Sequence, residues 1–292
     1  MKLYNIFIHF ITLISVCLAA SSSNYNNVRW AGFRYSTIGT KRSFGYVPNA
    51  MSIKSYIQKI KSNFNENTKG ILLLTVGTVS ENKCILEFPK PNNVTDFEDI
   101  MYSTKDRFEE ILSGCDEADI NVWLVVEPGN NNIVNLANIV LDKYGSHKSV
   151  KGFGVDLEWY YNNYYRNGKS LTDYEAKEIV DEIHKKNNNY TFLIKHWSVS
   201  HMPEHYNTDM IFVNTSQYYN DISEMTKELS AWAKSFPKNP VMFEIGFEVD
   251  KEIWENEPIK VAKSVADVTS KSNSQVGIIW VDYTMKEALM KM

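Results

Sequence analysis

The stretch Gly152-Phe153-Gly154-Val155-Asp156-Leu157-Glu158-Trp159 puts two carboxylates two positions apart at the end of an apolar run. Residues two apart in an extended strand share a face. Gly152, Gly154, Asp156 and Glu158 therefore point one way, and Phe153, Val155 and Leu157 the other. Carboxylates held close together resist ionising at once, so one keeps its proton and acts as an acid. Protonation of a glycosidic oxygen needs such a group. The same pair equally suits a structural cluster tied to Arg or Lys.

Glu244, in Phe243-Glu244-Ile245-Gly246, and Glu127, in Val126-Glu127-Pro128, add carboxylates to the ends of two other apolar runs. Glu244 is a candidate nucleophile to pair with Glu158, in the geometry where two carboxyls stand about 5–5.5 Å apart. Glu127 is a candidate ligand to sugar hydroxyls, or a member of an ion pair. Arg34 and Tyr35, His196 and Trp197, and Asp282 follow further runs. Trp197 is either a platform for a sugar ring or a packing group. The six His residues make no pattern with Ser or Cys that reads as a nucleophilic triad. No Cys/His cluster has metal-ligand spacing, and neither metal nor cofactor is expected.

The elements that must position these groups are eight apolar runs, at 28–33, 70–76, 122–126, 152–157, 191–195, 210–214, 241–245 and 276–281. Continuous rather than alternating apolarity marks strands covered on both faces, as in parallel sheets. Helical periodicity separates most of them, at 53–64, 106–115, 133–141, 223–233 and 261–268. Thr172 and Glu175 form a capping box ahead of Ile179, Val180 and Ile183. The fifth crossover, 196–209, is short enough to hold only a turn, and the last helix, 285–292, is also short. Eight strands alternating with helices predict a single α/β domain, a (β/α)8 TIM barrel, with its site at the C-terminal ends of the strands. A doubly wound open sheet is the alternative. It usually carries a Gly-rich phosphate turn after an early strand, and neither that spacing nor GxxxxGK[ST] occurs here.

The chain has 292 residues, 43% of them hydrophobic, enough for one large core. With 31 basic and 35 acidic side chains and no basic tract interleaved with aromatics, nucleic acid is not an expected partner. Lys2 followed by the apolar run 6–18 and the small residues Ala19, Ala20, Ser21 and Ser22 reads as a cleavable signal peptide over 1–20. Residues 21–27 then read as a flexible lead-in and 28–292 as the barrel domain. The expected protein is secreted, with no membrane contact once the signal is removed. No later run reaches the roughly 20 apolar residues of a spanning helix. Cys17 leaves with the signal, and Cys84 and Cys115 are then either a disulfide or two buried thiols. Sequons stand at Asn93, Asn189 and Asn214; the first two lie in polar loop sequence, and Asn214 closes an apolar run where a glycan would not fit.

The stretch Lys151–Glu158, KGFGVDLE, resembles the strand-four signature of glycoside hydrolase family 18, the chitinases and their relatives, which reads D-G-x-D-x-D-x-E. Gly152, Asp156 and Glu158 match; Lys151 and Gly154 stand where the family has its first two Asp residues. Gln217-Tyr218-Tyr219-Asn220 is similar to the Q-F-Y-N of plant, hevamine-type members, and Gly277-Ile278-Ile279-Trp280 to the strand-eight segment ending in Trp. Strand three, Leu124-Val125-Val126-Glu127-Pro128-Gly129, lacks the family's S-x-G-G. The resemblance implies that Glu158 protonates the leaving oxygen while the substrate's 2-acetamido oxygen attacks the anomeric carbon. It also implies that Asp156 and Tyr219 hold the acetamido group and that Trp280 packs beneath the sugar. The implied substrate is an N-acetylglucosamine-containing glycan. Two alternatives stay open. One is a retaining glycosidase using Glu158 and Glu244. The other is a lectin-like protein that binds chitin without cutting it.

Overall fold

The computed structural model describes residues 28–92 and 94–292. The expected signal peptide, the lead-in and the sequon at Asn93 lie outside the described residues.

Each apolar run forms a strand because it is buried on both sides. The elements follow in the order β1 (Val28–Tyr35), α1 (Thr37–Phe44), α2 (Ala50–Lys61), β2 (Lys69–Ser80), β3 (Lys83–Leu86), β4 (Ile100–Tyr102), α3 (Glu109–Glu117), β5 (Asn121–Val126), α4 (Ile133–Tyr144) and β6 (Val150–Asp156). Then come α5 (Asp173–Lys186), β7 (Thr191–His196), β8 (Met210–Asn214), α6 (Ile222–Ser235), β9 (Val241–Ile245), α7 (Lys251–Trp254), α8 (Pro258–Thr269), β10 (Val276–Trp280) and α9 (Met285–Lys291). Strands β1, β2, β5, β6, β7, β8, β9 and β10 pair in parallel, and β1 bonds both β2 and β10, so the sheet closes on itself. This is the expected (β/α)8 barrel.

Alternation along the strands divides the apolar side chains into two cores. Ile71, Leu73, Val125, Leu193, Ile211, Val213, Met242 and Ile279, with Trp30 and Trp123, fill the barrel. Strand residues of the opposite phase, such as Phe33, Leu72, Phe153, Phe212 and Trp280, pack under the helices. Gly152 has a reason in this packing. Trp123, Gly152 and Thr191 stand side by side on β5, β6 and β7. The Trp123 indole crosses above Gly152 to donate to Thr191 Oγ1 at 2.8 Å, and a Cβ on Gly152 would sit 1.9 Å from the Thr191 carbonyl oxygen.

Several local features match their sequence signals. Thr172 and Glu175 make the reciprocal capping box of α5, and the crossover after β7 holds only a 3₁₀ turn, Val199–His201. Helix α3 starts at Glu109 rather than at 106, because Asp106 Oδ1 accepts from the backbone N–H of Phe108 and of Glu109.

The hairpin extending β2 was not anticipated. Residues 77–80 pair antiparallel with β3, and β3 pairs with β4. The connecting residues Glu81 and Asn82 both take positive φ, 50° and 66°, the two-residue turn that suits strand twist. Its usual Asn-Gly or Asp-Gly signature is absent here. The turn rests on the loop after β5, where Asn130 N–H donates to the Asn82 carbonyl. Cys84 and Cys115 are free and buried, so of the two readings the structure takes the thiols.

Candidate functional site

Eight strand ends converge at one mouth of the barrel, and six of them place a charged side chain inward there. From β1 comes Arg34, from β6 Asp156, from β7 Lys195 and from β9 Glu244; Glu127 and Asp282 stand just beyond β5 and β10. Arg34, Ser36, Thr75, Val125, Glu127, Asp156, Lys195 and Asp282 line a cavity of about 60 Å³. That is room for a few water molecules or the polar edge of a larger ligand.

The charges form a chain across the mouth. Lys195 Nζ lies 3.1 Å from Asp156 Oδ2 and 2.8 Å from Glu244 Oε1. Arg34 reaches Glu244 Oε2 at 3.1 Å and, through Nε, Asp282 Oδ1 at 3.4 Å. Asp282 Oδ2 accepts from Ser36 N–H at 2.8 Å and Ser36 Oγ at 2.6 Å, which fixes the N-cap of α1. Burial pulls the Lys195 and Arg34 pKa values down, but the facing carboxylates outweigh it, and both end above their ordinary values. Both side chains are therefore permanent cations.

Glu158 lies in the single 3₁₀ turn, Leu157–Trp159, that follows β6. Asp156 Oδ1 accepts from its backbone N–H at 3.2 Å, and its own Oε1 accepts from Thr215 Oγ1 at 2.5 Å. Burial, with the charge of Asp156 added, pushes the Glu158 carboxyl up to about 7. Glu127 is pushed up to about 7 as well, by burial first and Asp156 next, although Val79 N–H donates to its Oε2 at 2.8 Å. Thus, among the described residues, five carboxyls, Glu127, Asp156, Glu158, Glu244 and Asp282, face two cations, and Glu127 and Glu158, which form no ion pair with either, are only partly ionised near neutral pH. Such a mouth can donate a proton at pH 7 beside a fixed negative charge.

Of the residues singled out from sequence, Asp156, Glu158, Glu127 and Glu244 come together here, as does Asp282. Neither Glu158 nor Glu244 lines the cavity, and Glu244 has no exposed side-chain surface. Trp197 is 45% exposed beside the mouth, and Gln217 is half-buried on the loop after β8.

Two residues go elsewhere. Trp280 pairs with Ile245 while its neighbour Ile279 pairs with the inward Glu244. Trp280 therefore faces the helices, 1% exposed, edge-on to Trp254 at 5.4 Å. Tyr219 is buried in the same outer core, its N–H donating to Asp250 Oδ1 at 2.9 Å. Neither lines the cavity. Tyr35 also packs outward. His196 accepts from Ser198 N–H through Nδ1, so Nε2 carries the hydrogen bonded to the Asn167 carbonyl. Burial lowers its pKa to about 4, and it stays neutral.

Lys195 went unrecognised in the sequence. Its signal was there: a Lys inside the apolar run Phe192-Leu193-Ile194-Lys195, on the same face as Leu193, must be buried and therefore paired.

Together the fold and the mouth define a (β/α)8 barrel with a carboxylate-rich polar site at the C-terminal end of its strands. No protein-family model matches the chain, and no curated protein matches it in sequence. Among solved structures, the chain is similar to β-1,4-D-mannanase from Cryptopygus antarcticus, with 13% identity, 90% of each chain covered and a TM-score of 0.49. It is similar also to the β-glucuronidase of Parabacteroides merdae, with 13% identity, 86% of this chain covered and a TM-score of 0.47. Bacteroides uniformis β-glucuronidase 3 shares 11% identity over 87% of this chain, with a TM-score of 0.43. The chain spans about a third of the length of the two glucuronidases, 31% and 32%.

Proposed function

We propose that the chain is a secreted O-glycoside hydrolase with Glu158 as general acid, acting on N-acetylglucosamine-containing glycans. The observation that carries this reading is the Glu158 carboxyl, raised to about 7 by burial and by Asp156, at the C-terminal mouth of the barrel. It donates its proton to the glycosidic oxygen as the bond to the anomeric carbon breaks. With Glu244 sealed behind Lys195 and Arg34, the attacking atom is the substrate's own acetamido oxygen, which closes on the anomeric carbon. Asp156, anchored by Lys195 and bordering the cavity, holds the acetamido N–H. Water, deprotonated by Glu158, then opens the cyclic intermediate.

The test is hydrolysis of N-acetylglucosamine oligomers by the wild type, Glu158→Gln and Glu244→Gln. The expected outcome is loss of about 10²–10⁴ in kcat for Glu158→Gln, with cleavage retained in Glu244→Gln. Equal inactivation of both variants, on substrates without an acetamido group, would replace this reading with the two-carboxylate mechanism. Binding of oligomers without cleavage would make the protein a lectin.

A further inference from the structure

Three neighbouring strands, β6, β7 and β8, each hand a large aromatic residue to solvent at the mouth. Trp159 is 38% exposed, Trp197 45% and Tyr218 75%. Large apolar rings are normally withdrawn from water, and the backbone beside two of these three is held by specific bonds. Trp159 follows Glu158 directly. Thr215 donates to Glu158, and the next residue, Ser216, donates through Oγ to the Trp197 carbonyl at 3.3 Å. The His196 ring backs the Trp197 indole at 5.2 Å in a stacked geometry. His196 is itself pinned by Asn167 and Ser198.

Tyr218 has a φ of 71°, a left-handed conformation that a tyrosine adopts only at a cost. The buried Asp250 carboxylate holds this turn by accepting from the adjoining Tyr219 N–H. The chain thus spends backbone strain to put one tyrosine in water and its neighbour in the core.

We infer that Trp159, Trp197 and Tyr218 form an aromatic shelf, continuous with Glu158, that seats the sugar rings of an oligosaccharide flanking the bond to be cut. The inference rests on the glycosidase reading and narrows it: the substrate is a chain of several sugars rather than a single terminal one. Pyranose rings present apolar C–H faces with hydroxyls at their rims, which suits flat, uncharged rings beside a polar cavity.

The experiment compares kcat/KM for the dimer and hexamer of N-acetylglucosamine in the wild type, Trp159→Ala, Trp197→Ala and Tyr218→Gly. Tryptophan emission is titrated with the hexamer in parallel. The expected result is that the preference for hexamer over dimer falls at least tenfold in each variant, with the loss in KM, and that Trp197→Phe and Tyr218→Phe recover most of it. Tyr218→Gly relieves the left-handed φ, so its thermal midpoint stays at or above that of the wild type, which a packing role would not allow. If the wild type cleaves oligomers and the preference is unchanged in all three variants, the shelf is wrong and the glycosidase reading stands. If the wild type cleaves none, that reading falls and binding alone decides. Hexamer affinity at least tenfold weaker in the variants supports the shelf, and no hexamer binding to the wild type overturns it.

Discussion

Lys195 Nζ and Glu244 Oε1 are 2.8 Å apart, on β7 and β9, at the top of the barrel's interior, with side chains 3% and 0% exposed. A buried ion pair of this kind adds little net stability over an apolar replacement of both partners, but loss of one partner strands the other. Lys195 also neutralises Asp156. Lys195→Met therefore strands Asp156 and leaves Glu244 with Arg34 alone. It is expected to cost about 3–5 kcal/mol of stability, read as a lower urea midpoint at unchanged m-value. A loss below about 1 kcal/mol would contradict this account of Lys195.

Stability should fall as pH rises from 4.5 to 7. Glu158 and Glu127 titrate at about 7 in the folded chain against an ordinary 4.5. Between those values the folded state binds more protons than the unfolded state, so raising the pH favours unfolding, by at most about 1.4 kcal/mol per pH unit for each group. Glu158→Gln should flatten that slope in denaturant titrations at successive pH values. In the proposed reaction the same proton is the catalytic one, so kcat should decline on the alkaline side of about 7.

Gly154 occupies the position of an Asp in the chitinase-like signature, and the barrel is tightly packed against it. A Cβ there would lie 3.0 Å from Leu193 Cδ2 and 3.1 Å from the Leu193 carbonyl oxygen. Gly154→Asp is expected to lose stability by roughly 1–3 kcal/mol from overpacking alone, and to gain no activity. A thermal melt together with an oligomer assay checks both points.

Gly39 stands on α1 against the Asp282 carboxylate, whose atoms would be 2.2–2.5 Å from a Cβ. An alanine helps a helix interior by about 1 kcal/mol, yet here it displaces an Asp held by Ser36 and Arg34. Gly39→Ala should destabilise the wild type and stabilise an Asp282→Ala background. A double-mutant cycle that fails to reverse sign would remove the contact from the explanation.

The thiols of Cys84 and Cys115 are buried, and burial pushes Cys115 up to about 12 and Cys84 higher still. Neither should react with an aromatic disulfide reagent until the protein unfolds, and the mass of the native protein should not change on reduction. Release of reagent at the native rate of an exposed thiol would contradict this placement.

Much of this architecture is local and therefore legible in the residues. Continuous apolar runs mark strands covered on both faces, and 210–214 and 241–245 coincide with β8 and β9 to the residue. The capping box of α5 and the alternation that turns Asp156 inward are likewise decided within a few positions. The Glu81-Asn82 turn left no such mark, because its positive φ values fall on residues without the usual glycine.

What the residues alone could not decide is how distant strands align. Arg34 and Glu244 are 210 positions apart, and Lys195 and Asp156 are 39 apart; only barrel closure brings them within bonding distance. Register settled the two misplaced aromatics. Ile279 aligns with the inward Glu244, so Trp280 must turn outward, and the Asp250 bond commits Tyr219 to the core while Tyr218 meets solvent. A side-chain period of two makes a one-residue difference in alignment a change of face. That alignment depends on the whole closed sheet, whereas the carboxylate pair, the apolar runs and the helix cap depend only on their neighbours in the chain.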